Sequence, residues 1–147
     1  MKRKTEPIVL WVSLLALAAG FCAASLRADE RRPLSGNYKV ISATDVGRGL
    51  TRVVLRIRLY NPTADNVSVE KLSMLMEPGA RTGHAASLQV SSHRSGEITQ
   101  EFTVLTGEYR RWQRGGPLML LVSSPGPDGK TKTVPVRLWP DLHLGVK

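Results

Sequence analysis

The chain has 147 residues, of which 41% are apolar and 22% are charged, a balance that excludes both a disordered chain and one wholly embedded in a membrane. Aromatic residues make up only 5%, so we expect an aliphatic core. The formal net charge of +9 favours anionic partners weakly and serves solubility equally well. The single cysteine, Cys22, lies near the N-terminus, which excludes a disulfide or a thiolate metal site from the rest of the chain.

The N-terminal residues 1–28 have the pattern of an export segment. Three basic residues at positions 2–4 precede an apolar stretch, residues 8–26, with small residues near its end. This pattern predicts a signal peptide. The alternative is an uncleaved membrane anchor, because a helix of this length nearly spans a bilayer core. In both cases we expect the basic end to stay in the cytoplasm and the rest of the chain to lie on the outer side of the cytoplasmic membrane.

The strongest local pattern follows in residues 50–76, where an alternating run, a turn cluster and a second apolar run succeed one another. Side chains of a strand alternate between its two faces. One face of the first run carries Thr51, Val53, Leu55, Ile57 and Leu59. Asn61-Pro62 ends this run, because proline has no backbone N–H to donate to a neighbouring strand. We therefore predict a β-hairpin, with a bulge near Glu70 that brings Val69 and Leu72 to one face.

Weaker runs predict five more strands. They lie at residues 38–44, 86–90, 96–105, 118–122 and 131–139. The continuous apolar run 118–122 is typical of a strand covered on both faces, and Pro135 favours a sheet edge for the last strand.

About seven short strands without a helix of normal length predict an all-β fold. We expect an immunoglobulin/fibronectin-III-like sandwich preceded by an N-terminal hydrophobic helix. A small barrel is the alternative. The expected organisation is a signal peptide or membrane anchor at 1–28, a linker at 29–35, the sandwich domain at 36–141 and a tail at 142–147.

Residues 53–76, with a strand, Asn61-Pro62 and the run 67–72, resemble the water-stress and hypersensitive-response domain of type-2 late embryogenesis abundant proteins. In that family an alternating strand ends in Asn-Pro and returns as a second strand. Segments 83–90 and 95–104 look like its next two strands. The resemblance implies a fibronectin-like sandwich with a protective or binding role and no catalysis.

The most distinctive candidate site is the loop 105–116. We expect Thr106 to cap one or two helical turns and Gly115 to end them. The candidate binding residues are Tyr109, Arg110, Arg111, Trp112 and Arg114. One interpretation is a basic and aromatic patch for an anionic glycan, a lipid headgroup or a phosphate. The other is that Tyr109 and Trp112 plug one end of the sandwich while the arginines are solvated.

A second basic group stands on one face of the first hairpin strand, at Arg52, Arg56 and Arg58. It forms either a stripe for a polyanion or cross-strand ion pairs with Glu70, Glu97 or Glu101. A nucleic-acid partner is disfavoured, because export separates the protein from nucleic acid and stacking aromatics are few.

No catalytic or metal-binding pattern stands out. His84, His93 and His143 have no metal-site spacing, and the serines lack a nucleophile-elbow context. We therefore expect no cofactor and no metal.

These features favour a non-catalytic exported module that binds or spaces cell-envelope components. Its expected location is periplasmic or extracellular, with a tether to the inner membrane if residues 8–26 stay attached. The first alternative is a basic-patch binder of anionic glycan or lipid headgroups, and the second is an enzyme with an unrecognised site.

Overall fold

The structure is a computed structural model that describes residues 34–75, 77–78 and 83–141. Its elements in chain order are β1 (Ser35–Gly47), β2 (Leu50–Tyr60), β3 (Val67–Met74), β4 (His84–Val90), β5 (Ser95–Leu105), α1 (Thr106–Gln113), β6 (Leu118–Pro125) and β7 (Thr131–Pro140). The predicted all-β class is therefore confirmed for the described residues. The expected N-terminal hydrophobic helix and the tail lie outside them. Over the described ranges, no helix has the length and apolar character needed to cross a bilayer.

The seven strands form one hydrogen-bonded sheet with the order β4-β3-β6-β7-β1-β2-β5. The two end strands, β4 and β5, contact each other, so the sheet is nearly closed into a barrel. The shortest pairing is the parallel one between β1 and β7, which joins residues 36–38 to residues 138–140. All other strand pairs are antiparallel.

The predicted hairpin of residues 50–76 is wrong. β2 pairs with β1 and β5, whereas β3 pairs with β4 and β6. The connection 61–66 has six residues, more than the roughly two to five of an ordinary hairpin loop. The chain therefore crosses from one part of the sheet to another instead of folding back on β2.

Asn61 holds this crossing in place. Its side chain is fully buried, and its amide donates to the backbone carbonyls of Asp65 at 2.6 Å and Val90 at 3.0 Å. Its Oδ1 accepts from the backbone N–H of Thr63 at 3.0 Å. A buried amide with its hydrogen bonds made is stable, whereas an unpaired one is costly. These bonds tie the connection to the end of β4.

The alternation predicted for β2 is confirmed. Thr51, Val53, Leu55, Ile57 and Leu59 are all buried. Each fully buried aliphatic side chain of this kind stabilises the fold by about 1.5–3 kcal/mol relative to exposure. This face therefore forms the centre of an aliphatic core.

The predicted bulge in β3 is also confirmed. The register against β4 shifts between Val69 and Lys71, and Val69, Leu72 and Met74 are buried. The extra residue at Glu70 turns the strand so that both apolar sets face inward. Met76, which the same pattern includes, lies outside the described residues.

Two expectations for the last strands need correction. β6 is not covered on both faces, because Leu118, Leu120 and Val122 are fully buried while the alternate side chains are partly exposed. β7 is not an edge strand, since it lies between β6 and β1. Pro135 is tolerated there because β1 pairs only with residues 138–140.

Candidate functional site

The helix α1 fills the connection between β5 and β6 and organises the candidate site. Its end is predicted correctly: Gly115 has φ +83°, a conformation open to glycine, and its N–H donates to the carbonyl of Trp112 at 2.8 Å. Its start is not. Leu105 occupies the cap position without a side-chain hydrogen bond, and Thr106 lies inside the helix.

Thr106 has another role, which is to attach α1 to the turn between β1 and β2. Its backbone N–H donates to the carbonyl of Gly49 at 2.8 Å. Its Oγ1 lies 2.9 Å from Oγ1 of the buried Thr51. The helix is therefore fixed at its first turn by Gly49 in the β1–β2 turn and by Thr51 on β2 rather than by its own cap.

Trp112 is the one α1 side chain that is buried in the core, whereas Tyr109, which the plug interpretation pairs with it, is partly buried and packs against the core. Its ring makes edge contacts with Tyr38 at 6.2 Å and Tyr109 at 6.5 Å between ring centroids. Tyr38 is the buried partner, whereas Tyr109 is only partly buried. Within the described part of the chain, no acceptor lies within hydrogen-bonding distance of Trp112 Nε1, although that atom is buried.

Tyr38 is anchored through its hydroxyl, which donates to the carbonyl of Gly116 at 3.0 Å. Burial raises the pKa of Tyr38 above its ordinary value of 10.0, and the positive charge of Arg111 acts against that shift. The buried tyrosine that holds this region is therefore on β1.

Arg111 is a structural residue rather than a free cation. Its Nε and Nη2 donate to Glu108 Oε2 at 3.1 and 2.8 Å, and its Nη1 donates to the carbonyl of Pro117 at 2.8 Å. Gly116 lies against it so closely that an added Cβ would be 2.9 Å from the Arg111 carbonyl oxygen. The guanidinium thus fastens α1 to the turn before β6, with its charge balanced by Glu108.

A cavity of about 210 Å³ lies beside the buried face of α1. Its walls come from β3 and the residue after it, β5, α1 and β6. They are Met74, Leu75, Val104, Glu108, Arg111, Trp112 and Met119. Leu75 is 57% exposed at this cavity, an unusual position for a large aliphatic side chain. The lining is thus mostly apolar, with one ion pair and one buried indole.

A second cleft of about 220 Å³ lies along the other face of α1. It is more polar and is bounded by β1, β2 and the helix. Its walls are Ala43, Asp45, Thr51, Thr106, Tyr109, Arg110 and Gln113. Successive helix residues are separated by about 100°, so this set and the first set face opposite sides.

The structure therefore does not gather the five predicted binding residues into one patch. Arg111 and Trp112 line the first cavity, Tyr109 and Arg110 line the second cleft, and Arg114 is exposed beyond the helix. Only Arg110 and Arg114 of the three arginines are exposed. The apolar walls of the first cavity were missed, because alternating Met, Leu and Val residues give the same sequence pattern whether they bury a core or line a pocket.

The arginine stripe on β2 carries cross-strand ion pairs. Arg58 Nη2 lies 3.2 Å from Glu97 Oε2, and Arg56 Nε lies 3.5 Å from Glu97 Oε1. Arg52 Nε lies 3.6 Å from Glu101 Oε1. The expected pairing with Glu97 and Glu101 is thus confirmed. These groups are about half exposed, and such pairs stabilise by only about 0–1 kcal/mol each.

His84 lies at the start of β4 and has an acidic partner. Its Nε2 lies 2.7 Å from Oε1 of Glu77, whose side chain is only 4% exposed. His93 lies in a turn with φ +53°, and His143 is outside the described residues. In the part of the chain that the structure describes, no cluster of three or more His, Cys, Asp or Glu residues could hold a metal.

Comparison with known proteins adds little. No family model and no curated protein matches this chain. A crystal structure of a protein from Archaeoglobus fulgidus is similar to it with 10% identity and a TM-score of 0.36, over 72% of this chain and 97% of that one.

Proposed function

We propose that this protein is a non-catalytic, exported β-sandwich module that binds a component of the cell envelope in the cavity beside α1. One observation carries the proposal: the cavity combines mostly apolar walls, which include the exposed side chain of Leu75, with the ion pair of Glu108 and Arg111. Small-molecule sites combine apolar walls with a few polar groups in this way. The N-terminal pattern of residues 1–28 supports export, with a location outside the cytoplasmic membrane.

The sandwich class in this proposal is inferred from the short pairing between β1 and β7, which joins residues 36–38 to residues 138–140. Dividing the sheet at that pairing gives a three-stranded layer, β5-β2-β1, and a four-stranded layer, β4-β3-β6-β7. The core residues of β2 would then face those of β6 across the interior. This arrangement, with the Asn61-Pro62 corner, favours the fibronectin-like class and the resemblance to the water-stress and hypersensitive-response domain.

Capture from the native envelope fraction tests the binding proposal. The full chain serves as bait, and Leu75→Glu is compared with Trp139→Glu. Both replaced side chains are large, apolar and more than half exposed, but only Leu75 lines the cavity. We expect Leu75→Glu to lose a captured component that Trp139→Glu retains. Equal capture by both variants, or none by the unaltered chain, would contradict the proposal.

A basic-patch binder of anionic glycan or lipid headgroups is the second candidate, supported by the exposed Arg110 and Arg114. Changing both to glutamine should abolish salt-sensitive binding to anionic vesicles if this function exists. The cavity proposal expects no effect of these two changes on envelope capture. The two functions are therefore distinguishable in one set of variants.

A further inference from the structure

The second cleft, on the other face of α1, carries unpaired charges of both signs. We propose that it binds a compact zwitterion, with an ammonium group against Asp45 and a carboxylate or phosphate group against Arg110. This site is separate from the cavity of the proposed function, so neither one depends on the other.

Asp45 and Arg110 are both exposed, and both line this cleft. Over the described ranges, neither side chain takes part in an ion pair. Asp45 Oδ1 accepts from the backbone N–H of Gly47 at 2.7 Å, and its Oδ2 has no hydrogen-bond partner in that part of the chain. The first cavity differs, because Glu108 and Arg111 pair with each other. The second cleft therefore offers one negative and one positive group to a ligand.

The presence of both charges restricts the class of ligand. An anion that is attracted by Arg110 is repelled by Asp45, and a cation meets the reverse. A ligand that carries both charges meets an opposite charge at each end. Because exposed ion pairs are weak singly, a ligand that forms two of them has an advantage over one that forms a single pair.

A short series of contacts sets the spacing of the two charges. Asp45 lies opposite Thr51 in the register of β1 and β2. Thr51 is 4% exposed, and its Oγ1 lies 2.9 Å from Oγ1 of Thr106 at the start of α1. Arg110 follows Thr106 by one helical turn, on the same face and about 6 Å further along the helix axis. The two charges of the ligand should therefore be several bonds apart.

Neutral groups of the helix add hydrogen-bonding capacity between the charges. Gln113 Nε2 donates to the exposed hydroxyl oxygen of Tyr109 at 3.2 Å. The hydroxyl hydrogen of Tyr109 and Oε1 of Gln113 have no partner among the described residues. The cleft is about 220 Å³. Since a cavity of about 150 Å³ is enough for benzene, a ligand of about ten non-hydrogen atoms fits.

Three probes of equal size separate the two charges. γ-Aminobutyrate is a zwitterion, pentanoate replaces its ammonium by a methyl group, and isohexylamine replaces its carboxylate by an isopropyl group. The full chain in a nonionic detergent is titrated with each probe, and the side-chain amide signal of Gln113 in the cleft is followed by NMR. Replacing Gln113 by alanine identifies that signal.

We expect γ-aminobutyrate to bind about three- to fivefold more tightly than either singly charged probe. In Asp45→Asn, whose Oδ1 can still accept from Gly47, the advantage over pentanoate should disappear and the advantage over isohexylamine should remain. Arg110→Gln should give the reverse. Asp128→Asn is the matched control, because Asp128 Oδ1 also accepts from a backbone N–H two residues later, that of Lys130, but lies outside the cleft. It should keep both advantages.

Glycerophosphoethanolamine, the water-soluble headgroup of a phospholipid, distinguishes the two sources of such a zwitterion. Tighter binding of this probe than of γ-aminobutyrate would support a lipid-derived ligand, and weaker binding would support a free amino acid.

Three results would overturn the inference. They are no saturable binding of either zwitterion, binding of pentanoate or isohexylamine as tight as that of γ-aminobutyrate, and equal effects of Asp45→Asn and Asp128→Asn. The unaltered chain alone decides the first two. Envelope capture is tested at Leu75 and this binding at Asp45 and Arg110, so the failure of one proposal is distinguishable from the failure of the other.

Discussion

His84 Nε2 and Glu77 Oε1 lie 2.7 Å apart, and the same carboxylate oxygen accepts from the backbone N–H of Thr103 at 3.3 Å. His84 begins β4 and Thr103 belongs to β5, the two strands at the ends of the sheet order. The ring of His84 also makes an edge contact with Phe102, with ring centroids 5.0 Å apart. One buried glutamate therefore connects the two strands whose approach nearly closes the sheet.

Replacing Glu77 by alanine should destabilise the protein by about 1–3 kcal/mol, because the N–H of Thr103 and the ring of His84 lose the partner that they share. Chemical denaturation of the full chain measures the change. Glu70→Ala is the matched control, since Glu70 is exposed and should stay within about 0.5 kcal/mol. Equal effects of the two changes would show that Glu77 does not connect these strands.

Replacing Asn61 by alanine should cost at least about 2 kcal/mol. The carbonyls of Asp65 and Val90 and the N–H of Thr63 would all lose a partner, at about 1–3 kcal/mol for each buried group left unpaired. Asp65→Ala is the control, because only the backbone carbonyl of Asp65 takes part. Thermal unfolding of both variants checks the difference, and a neutral Asn61→Ala would contradict this account of the corner.

Tyr38 gives the protein an alkaline sensitivity. Burial raises its folded-state pKa above 10.0, so the unfolded chain releases the phenolic proton first. The stability that Tyr38 contributes is thus complete below pH 10 and is lost as the pH rises through the folded-state pKa.

Tyr38→Phe should lower stability by about 0.5–1.5 kcal/mol near neutral pH, through loss of the hydrogen bond to Gly116. That difference should shrink above pH 10, because phenylalanine has no proton to release. Denaturation curves of both proteins at pH 7 and pH 10.5–11 test this. A difference that grows with pH would reverse the assigned direction of the pKa shift.

Two glycines beside α1 should respond in opposite ways to alanine. At Gly116 an added Cβ would lie 2.9 Å from the carbonyl oxygen of Arg111, and overpacking of this kind costs about 1–3 kcal/mol. At Gly107, within the helix, an added Cβ meets nothing within 4 Å. Gly107→Ala should therefore stabilise by about 0.5–1 kcal/mol. Melting temperatures of the pair measure both changes, and shifts of the same sign would show that Arg111 does not fasten the helix as described.

The sequence predicted best what depends on local alternation. The buried face of β2, the bulge at Glu70 and the turn glycine at Gly115 all follow from side-chain period or backbone freedom, and the structure confirms them. The pairing of strands was harder to predict from the sequence. A turn such as Asn61-Pro62 ends a strand in the same way whether the chain folds back as a hairpin or crosses to another part of the sheet. The strand pairings and the hydrogen bond from Asn61 to the carbonyl of Val90, a residue distant in sequence, distinguish the two.

The candidate site was even harder to predict from the sequence. Tyr109, Arg110, Arg111, Trp112 and Arg114 are neighbours in sequence, but helix geometry and the Glu108 ion pair distribute them among different surroundings. The cavity walls come from four separate elements, whose meeting depends on sheet order. A pattern of residues along one segment does not carry that information.

The most direct test of the central claim, that ligand binds beside α1, is photocrosslinking in intact cells. A benzophenone-bearing amino acid replaces Leu75 at the cavity or, as a control, Asp128 in the turn after β6. That turn begins seven residues beyond Met119 of the cavity wall, or about 23 Å at strand spacing. We predict a discrete crosslinked envelope product from position 75 and none from position 128. The same product from both positions, or no product from position 75, would contradict the account.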